Sequence, residues 1–317
     1  MEGGASERVC VVCHEPVTGP GHTLAGRLFC DTHYARLARE NSASVTPIVV
    51  LIAGVLAFAG VVSLIGGALG GQLSGTPLVV AGMALAIVPA AAWLVAFYRQ
   101  DRIEPEPKHY VLGTFVLGAI AAEAIARPVL GDFFRIDEWI HDNTWSRILG
   151  AILVVGFVQE FLKYAVVRYT VFNSPEFDER VDGVIYGAAA GLGFATMLNF
   201  RYVLENGGVD LGVGAIAVAV TALAHASYSG VMGYFLGRAK FESMGPVWLP
   251  LGLTLAATLN GVTSWVLREL PLMTASGYAA WLGLVGAALL AGATFVALFR
   301  VIRALNARTL AAMGTTE

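Results

Sequence analysis

The sequence predicts an all-α integral membrane protein of about eight transmembrane helices, with a small N-terminal zinc-knuckle module. Three observations carry that expectation. Of 317 residues, 56% are hydrophobic and only 14% charged, and the mean hydropathy is +0.69; an ordinary soluble domain carries about 25% charged residues. The apolar residues gather into runs near the roughly 20 residues that cross a bilayer. All three cysteines, Cys10, Cys13 and Cys30, precede the first run. This composition excludes a disordered chain and a disulfide scaffold. It also excludes a nucleic-acid binder, and a net charge of -3 gives no reason to expect a polyanionic partner.

Residues 1–45 are polar and contain no apolar stretch of the kind found in a signal peptide. Within them Cys10-x2-Cys13 is followed, sixteen residues later, by Cys30-x2-His33. Two such knuckles place four soft ligands around a tetrahedron, the arrangement of structural zinc, with His14 and His22 as alternative ligands. A segment this short lacks the core to fold by itself, so metal binding would supply its folding energy. Reduced cysteines also fit a cytoplasmic location.

The apolar runs occupy 46–305, at about 48–70, 76–98, 110–130, 147–170, 184–205, 211–236, 246–268 and 275–302, and a polar tail closes the chain at 306–317. Backbone groups in lipid must pair within their own segment, so these runs are expected to be helices. Gly- and Ala-rich stretches such as GVIYGAAAGLGFA (183–195) let helices approach closely. With the N-terminus inside, fourteen Lys and Arg residues fall on inner segments against five on outer ends, which puts both termini in the cytoplasm. The stretch at 131–146 is acidic and aromatic and reads as a short amphipathic helix on the outer interface. Pro105 and Pro107 end the second run. The acidic residues around them, Asp101, Glu104 and Glu106, read either as a solvated loop or as a gate at the cytoplasmic mouth.

Ionisable side chains inside a span are costly unless paired, so each is a functional candidate. Glu160, His225, Asn260, Asn199 and Glu123 lie about 10–15 residues from the inner ends of five different runs, roughly 15–22 Å deep. They therefore share one level. Glu160 suits a general base, and Lys163, three residues on, is placed to hold it ionised. His225 can donate to an oxyanion or orient water, with Ser229 one turn further on the same face, and Asn199, Asn260 and Gln159 can donate amide hydrogens to a developing negative oxygen. The same residues also read as an ion pair and interhelical hydrogen-bonding groups without chemistry. Glu123 with Arg127 reads as a structural pair.

Four stretches together point to a family. FYRQDRIEPEPKHYVLGTFVLGA (97–119), GFVQEFLKYAVVR (156–168), VDGVIYGAAAGLGFATMLNFRYV (181–203) and HASYSGVMGYFLGRAK (225–240) resemble the PrsW family of intramembrane proteases over about 97–270. The resemblance implies a helical core related to the CAAX-prenyl proteases, in which glutamates and histidines from several spans meet inside the membrane. It further implies cleavage of membrane-anchored regulators such as anti-sigma factors, by a metal or a glutamate mechanism. Of the motif residues, Glu160, Lys163, Asn199 and His225 match, whereas Gln159, Leu198 and Asn260 stand where the family pattern has glutamate, glutamate and histidine. One Glu and one His make a poor donor set for catalytic zinc. Two expectations result. In the first, a peptidase uses Glu160 as base, with His225 and the amides at the oxyanion. In the second, the chain is a catalytically silent scaffold that binds a membrane protein partner.

Overall fold

Two helices rich in glycine and alanine occupy the centre of the molecule. The computed structural model describes residues 8–24, 27–41, parts of 50–62, 74–100, 106–206, 213–268 and 279–314. A hairpin of β1 (His22–Leu24) and β2 (Arg27–Phe29), with His22 opposite Phe29, leads into α1 (Asp31–Asn41). The bundle then comprises α2 (Gly75–Tyr98), α3 (Lys108–Phe133), a short α4 (Ile136–Trp139), α5 (Thr144–Thr170) and α6 (Asp182–Glu205). It is completed by α7 (Val213–Phe241), α8 (Trp248–Arg268) and α9 (Ala279–Gly314).

Six of these helices, α2, α3, α5, α6, α7 and α9, are long and apolar enough to cross a bilayer. Eight spans are therefore not confirmed. The run at 48–70 lies largely outside the described residues, and the run at 246–268 is α8, a 21-residue helix that is not among the six. Thr254, Thr258, Asn260, Thr263 and Ser264 dilute its apolar character. The expected amphipathic helix at 131–146 is smaller than its sequence suggests. Between the end of α3 at Phe133 and the start of α5 at Thr144 only Ile136–Trp139 is helical, Arg135 before it is left-handed, and Asn143 caps α5 by accepting the Ser146 N–H at 3.0 Å.

The most apolar stretch of α6 is 83% buried and that of α7 78%, against 33–39% in the other four long helices, which marks α6 and α7 as the centre and the rest as the lipid-facing wall. Glycine makes the central pair possible. Gly183, Gly187 and Gly191 recur every fourth residue along one face of α6, and α7 carbonyls sit against them. A methyl group at Gly187 would stand 2.5 Å from the Ser229 carbonyl oxygen. Without a hydrophobic force between helices in lipid, such close backbone packing is the main source of association.

The wall is fastened to this pair by aromatic residues and by loosened helical turns. Trp93 and Phe97 of α2 pack edge-on against Phe295 of α9, and the Trp93 indole N–H reaches the Ala219 carbonyl of α7 at 3.3 Å. Within α5 the segment Gly150–Gly156 is a π turn, and Gly156 and Gly261 bring it against the backbone of α8. Further π turns lie in α3 at Ala121–Ala126 and Val129–Phe133.

Candidate active site

The end of α5 beyond its π turn carries Gln159, Glu160 and Lys163, all buried. Glu160 has no exposed surface, and its carboxylate is engaged from three directions. Lys163 Nζ donates to Oε1 at 2.6 Å, Asn260 Nδ2 of α8 donates to the same oxygen at 2.8 Å, and Ser229 Oγ of α7 donates to Oε2 at 3.1 Å. Asn260 also donates to Gln159 Oε1 at 3.1 Å. Lys163 Nζ lies 2.7 Å from His225 Nδ1 and 4.8 Å from the Phe194 ring centre. An ammonium has only protons to offer, so His225 Nδ1 accepts and the remaining imidazole proton sits on Nε2. The chain of contacts is carboxylate, ammonium, imidazole. A charged pair at this depth persists because each charge has a partner and further hydrogen bonds.

Beside these groups lies a small cavity lined by Glu160, Lys163, Tyr164, Gly187, Ser229 and Gly233. Its water-sized void is about 10 Å³, room for about one water molecule. The position between Glu160 and His225, which a metal held by both would need, is filled by the Lys163 ammonium. The other neighbours are amides, weak ligands for zinc. The residues around Glu160 therefore do not fit a catalytic metal.

The N-terminal residues behave differently. Sγ of Cys10, Cys13 and Cys30 and a ring nitrogen of His33 all lie within 4.8 Å of one another, a cluster that could hold a metal ion. Cys30 Sγ is 3.1 Å and Cys10 Sγ 3.6 Å from His33 Nδ1, close to the edges of a tetrahedron with bonds of about 2.0–2.3 Å. Burial opposes ionisation of Cys10, but hydrogen bonds from the backbone of Cys13, Cys30 and Val12 outweigh it and bring the thiol down to about 6. Among the described residues this is the one such cluster, and neither His14 nor His22 belongs to it. His22 pairs with Asp31 at 3.0 Å and stacks on Tyr34. The hairpin and α1 lie against α9.

Of the residues singled out from sequence, the fold brings together Gln159, Glu160, Lys163, His225 and Asn260. Asn199 is buried but elsewhere, donating to the Val218 carbonyl at 3.0 Å and so tying α6 to α7. Glu123 pairs with Arg127 at 2.8 Å and with Arg201 at 3.5 Å near a partly exposed surface. Ser229 is a direct partner of Glu160; its signal was its place one turn after His225. Tyr228, hydrogen-bonded to Thr263 at 2.6 Å, joins α7 to α8 beside the site and left no signal in a single sequence. Glu106 departs from the solvated-loop reading, being 3% exposed, while Asp101 and Glu104 lie outside the described residues.

Comparison with known proteins agrees with this architecture. Residues 106–286 match the profile of the PrsW family of intramembrane metalloproteases. The chain is 30% identical over 208 residues to Protease PrsW of Bacillus subtilis, covering 62% of this chain and 90% of that protein. It is 34% identical over 182 residues to Protease PrsW of Geobacillus kaustophilus, covering 57% and 77%. The Protease PrsW of Clostridioides difficile is 26% identical over 187 residues, covering 58% and 77%. No solved structure matches the chain. A match over more than half of the sequence, on a helical bundle with six membrane-length helices, establishes this integral membrane protein as a member of the PrsW family of intramembrane proteases.

Proposed function

We propose that the cavity beside Glu160 hydrolyses a peptide bond in a membrane-anchored protein, for example an anti-sigma factor, with a water molecule activated by Glu160. The observation that carries this reading is a water-sized void bordered by a fully buried carboxylate, at the junction of α5, α6 and α7. Glu160 takes a proton as the water oxygen attacks the scissile carbonyl. The negative charge that develops on the carbonyl oxygen falls to the Nε2–H of His225 and the amide N–H of Gln159. Glu160 then returns the proton to the leaving nitrogen as the carbon–nitrogen bond breaks. Lys163 pairs with Glu160 and fixes the His225 tautomer, while Asn260 and Ser229 aim the carboxylate. Asn199 supports the site from a distance, by holding α6 on α7. No step passes through a metal, because the donor set at Glu160 does not suit one.

One observation favours the scaffold reading instead. Both oxygens of Glu160 are already engaged, and Gln159 stands where the family pattern has glutamate. Reconstitution in liposomes with a membrane-anchored substrate separates the two. Cleavage lost in Glu160→Ala and His225→Ala, and raised in Gln159→Glu, supports the hydrolase. Absence of cleavage in every version, with a partner still co-purifying, supports the scaffold.

We infer that the N-terminal cluster, which could hold a metal ion, takes structural zinc, and, from the surplus of Lys and Arg on one side, that both termini lie in the cytoplasm. Metal analysis of the full chain is expected to find about one zinc per molecule, lost in Cys30→Ser. Labelling of single cysteines introduced at His141 and Ser174 is expected from opposite sides of the bilayer.

A further inference from the structure

The cavity beside Glu160 has room for about one water molecule, so a larger guest reaches it only if part of the wall moves. Most of that wall is fixed. On the α6–α7 side it is closely packed backbone: a methyl group at Gly187 would meet the Ser229 carbonyl, and one at Gly233 the Gly183 carbonyl. Lys163 and Ser229 are each hydrogen-bonded to Glu160. Val167, Met232 and Leu236 are buried. Of the described residues that line the cavity, Tyr164 alone is only partly buried.

No hydrogen bond to a described residue ties Tyr164 in place. The contrast with other tyrosines is plain. Tyr186, which precedes Gly187, donates to Glu106 at 2.5 Å, and the Tyr228 hydroxyl pairs with Thr263 at 2.6 Å. The Tyr164 ring can change rotamer without breaking such a contact. It packs on the apolar core and lies 6.1 Å from the ring of half-exposed Phe161. Its neighbours fix the flank of α5 that it occupies. Leu162 turns to α3, where it packs with Ala122 and Ala126. Glu160, one turn before Tyr164 and on the same face, meets Asn260 of α8. Tyr164 therefore stands on the α8 side of α5, six residues before the helix ends at Thr170 and roughly 9 Å from that end along the axis. That level is near the polar boundary of the bilayer, where tyrosine is favoured and water is at hand.

We propose that Tyr164 is the door of the Glu160 cavity. Its ring swings toward Phe161 on the α8 side of α5, and the opening admits water and an unwound stretch of a membrane-anchored chain. Passage of that chain rests on the hydrolysis proposed for Glu160; the door itself does not. The ring does the closing, since the hydroxyl holds nothing. A small side chain at 164 therefore leaves the cavity open, phenylalanine keeps it shut, and tryptophan covers the mouth more fully.

The test is thiol labelling of the full chain in liposomes. Met232→Cys places a thiol on the cavity wall. Its modification by a small water-soluble methanethiosulfonate is read at that residue by mass spectrometry, which separates it from the three native cysteines. With access limited by local opening, Tyr164→Ala is expected to speed labelling about tenfold and Tyr164→Trp to slow it about threefold, with Tyr164→Phe within about twofold of the native chain. Equal rates whatever the residue at 164 would overturn the door. So would a Tyr164→Phe variant as fast as Tyr164→Ala, which would give the closing role to the hydroxyl. Should Tyr164→Ala fail to fold, the tryptophan and phenylalanine variants still decide, because only a door set by side-chain bulk separates their rates. Cleavage of a membrane-anchored substrate is followed in the same liposomes. Labelling that follows the side chain at 164, with no cleavage in any version, keeps the door and removes the hydrolysis. Cleavage with labelling indifferent to residue 164 does the reverse.

Discussion

The two buried acidic sites of this bundle solve one problem in opposite ways. At Glu160 the charge is kept and matched. An ammonium lies 2.6 Å away, with an amide and a hydroxyl on the remaining positions. At Glu106 burial works against the charge and pushes the carboxyl up to about 7, opposed by the hydrogen bonds from Tyr186 and Asp182. A matched charge costs most when a partner is deleted. A neutralised one is sensitive to pH and costs most when its proton is lost.

Deletions and titrations can break this contrast. Removing the cation should have the largest effect: Lys163→Met strands a buried carboxylate, with an expected loss of about 3–5 kcal/mol in unfolding measured in mixed micelles. The double change Glu160→Gln with Lys163→Met should recover most of that loss, since neither charge remains. A double variant as unstable as the single one would show that the pair acts through packing instead.

At Glu106 the prediction concerns slope. A carboxyl raised from 4.5 to about 7 binds its proton more tightly in the folded chain. Stability therefore falls as pH rises through this interval and levels off above it, by at most about 3 kcal/mol for a single group. Glu106→Gln should abolish the slope. An unchanged slope would assign it to other groups.

Gly187→Ala tests the link between the two sites. Its methyl group would meet the Ser229 carbonyl oxygen at 2.5 Å. A cost of about 1–3 kcal/mol is expected, together with altered exchange at both clusters. A thermal unfolding midpoint equal to that of the native chain would show that the α6–α7 seam yields easily. The smallest effect should come from Arg127→Ala, which removes a partly exposed pair with Glu123 and should cost under about 1 kcal/mol. A larger loss would make that pair a third buried site in all but position.

How much of the fold and site is legible in the sequence depends on how local each signal is. Glu160, Lys163 and His225 stand out because ionisable groups interrupt apolar runs. Their common depth, together with that of Asn260, anticipates that α5, α7 and α8 meet. The zinc-type cluster is legible from spacing alone, since ligand geometry fixes it. Asn199 is legible as buried and polar, but its partner is a backbone carbonyl on α7, and no side-chain pattern encodes that. Glu106 is misleading, because two prolines and neighbouring charges describe a solvated turn. Its burial depends on Tyr186, eighty residues away. The helix count suffers for a related reason. The hydroxyl and amide side chains that join α8 to its neighbours also lower the hydropathy by which a span is recognised.

The π turn at Gly150–Gly156 sets a rule for chain length in this family member. A wider turn absorbs one extra residue without rotating the helix beyond it. Dropping one residue inside it would leave an ordinary α-helix with Glu160 still facing α7. The same deletion between Gly156 and Glu160 would turn the remainder of α5 by about 100°. Glu160 would then leave the cavity, and Phe161, now half exposed toward lipid, would swing inward. Indels are thus tolerated on one side of Gly156 and ruinous on the other.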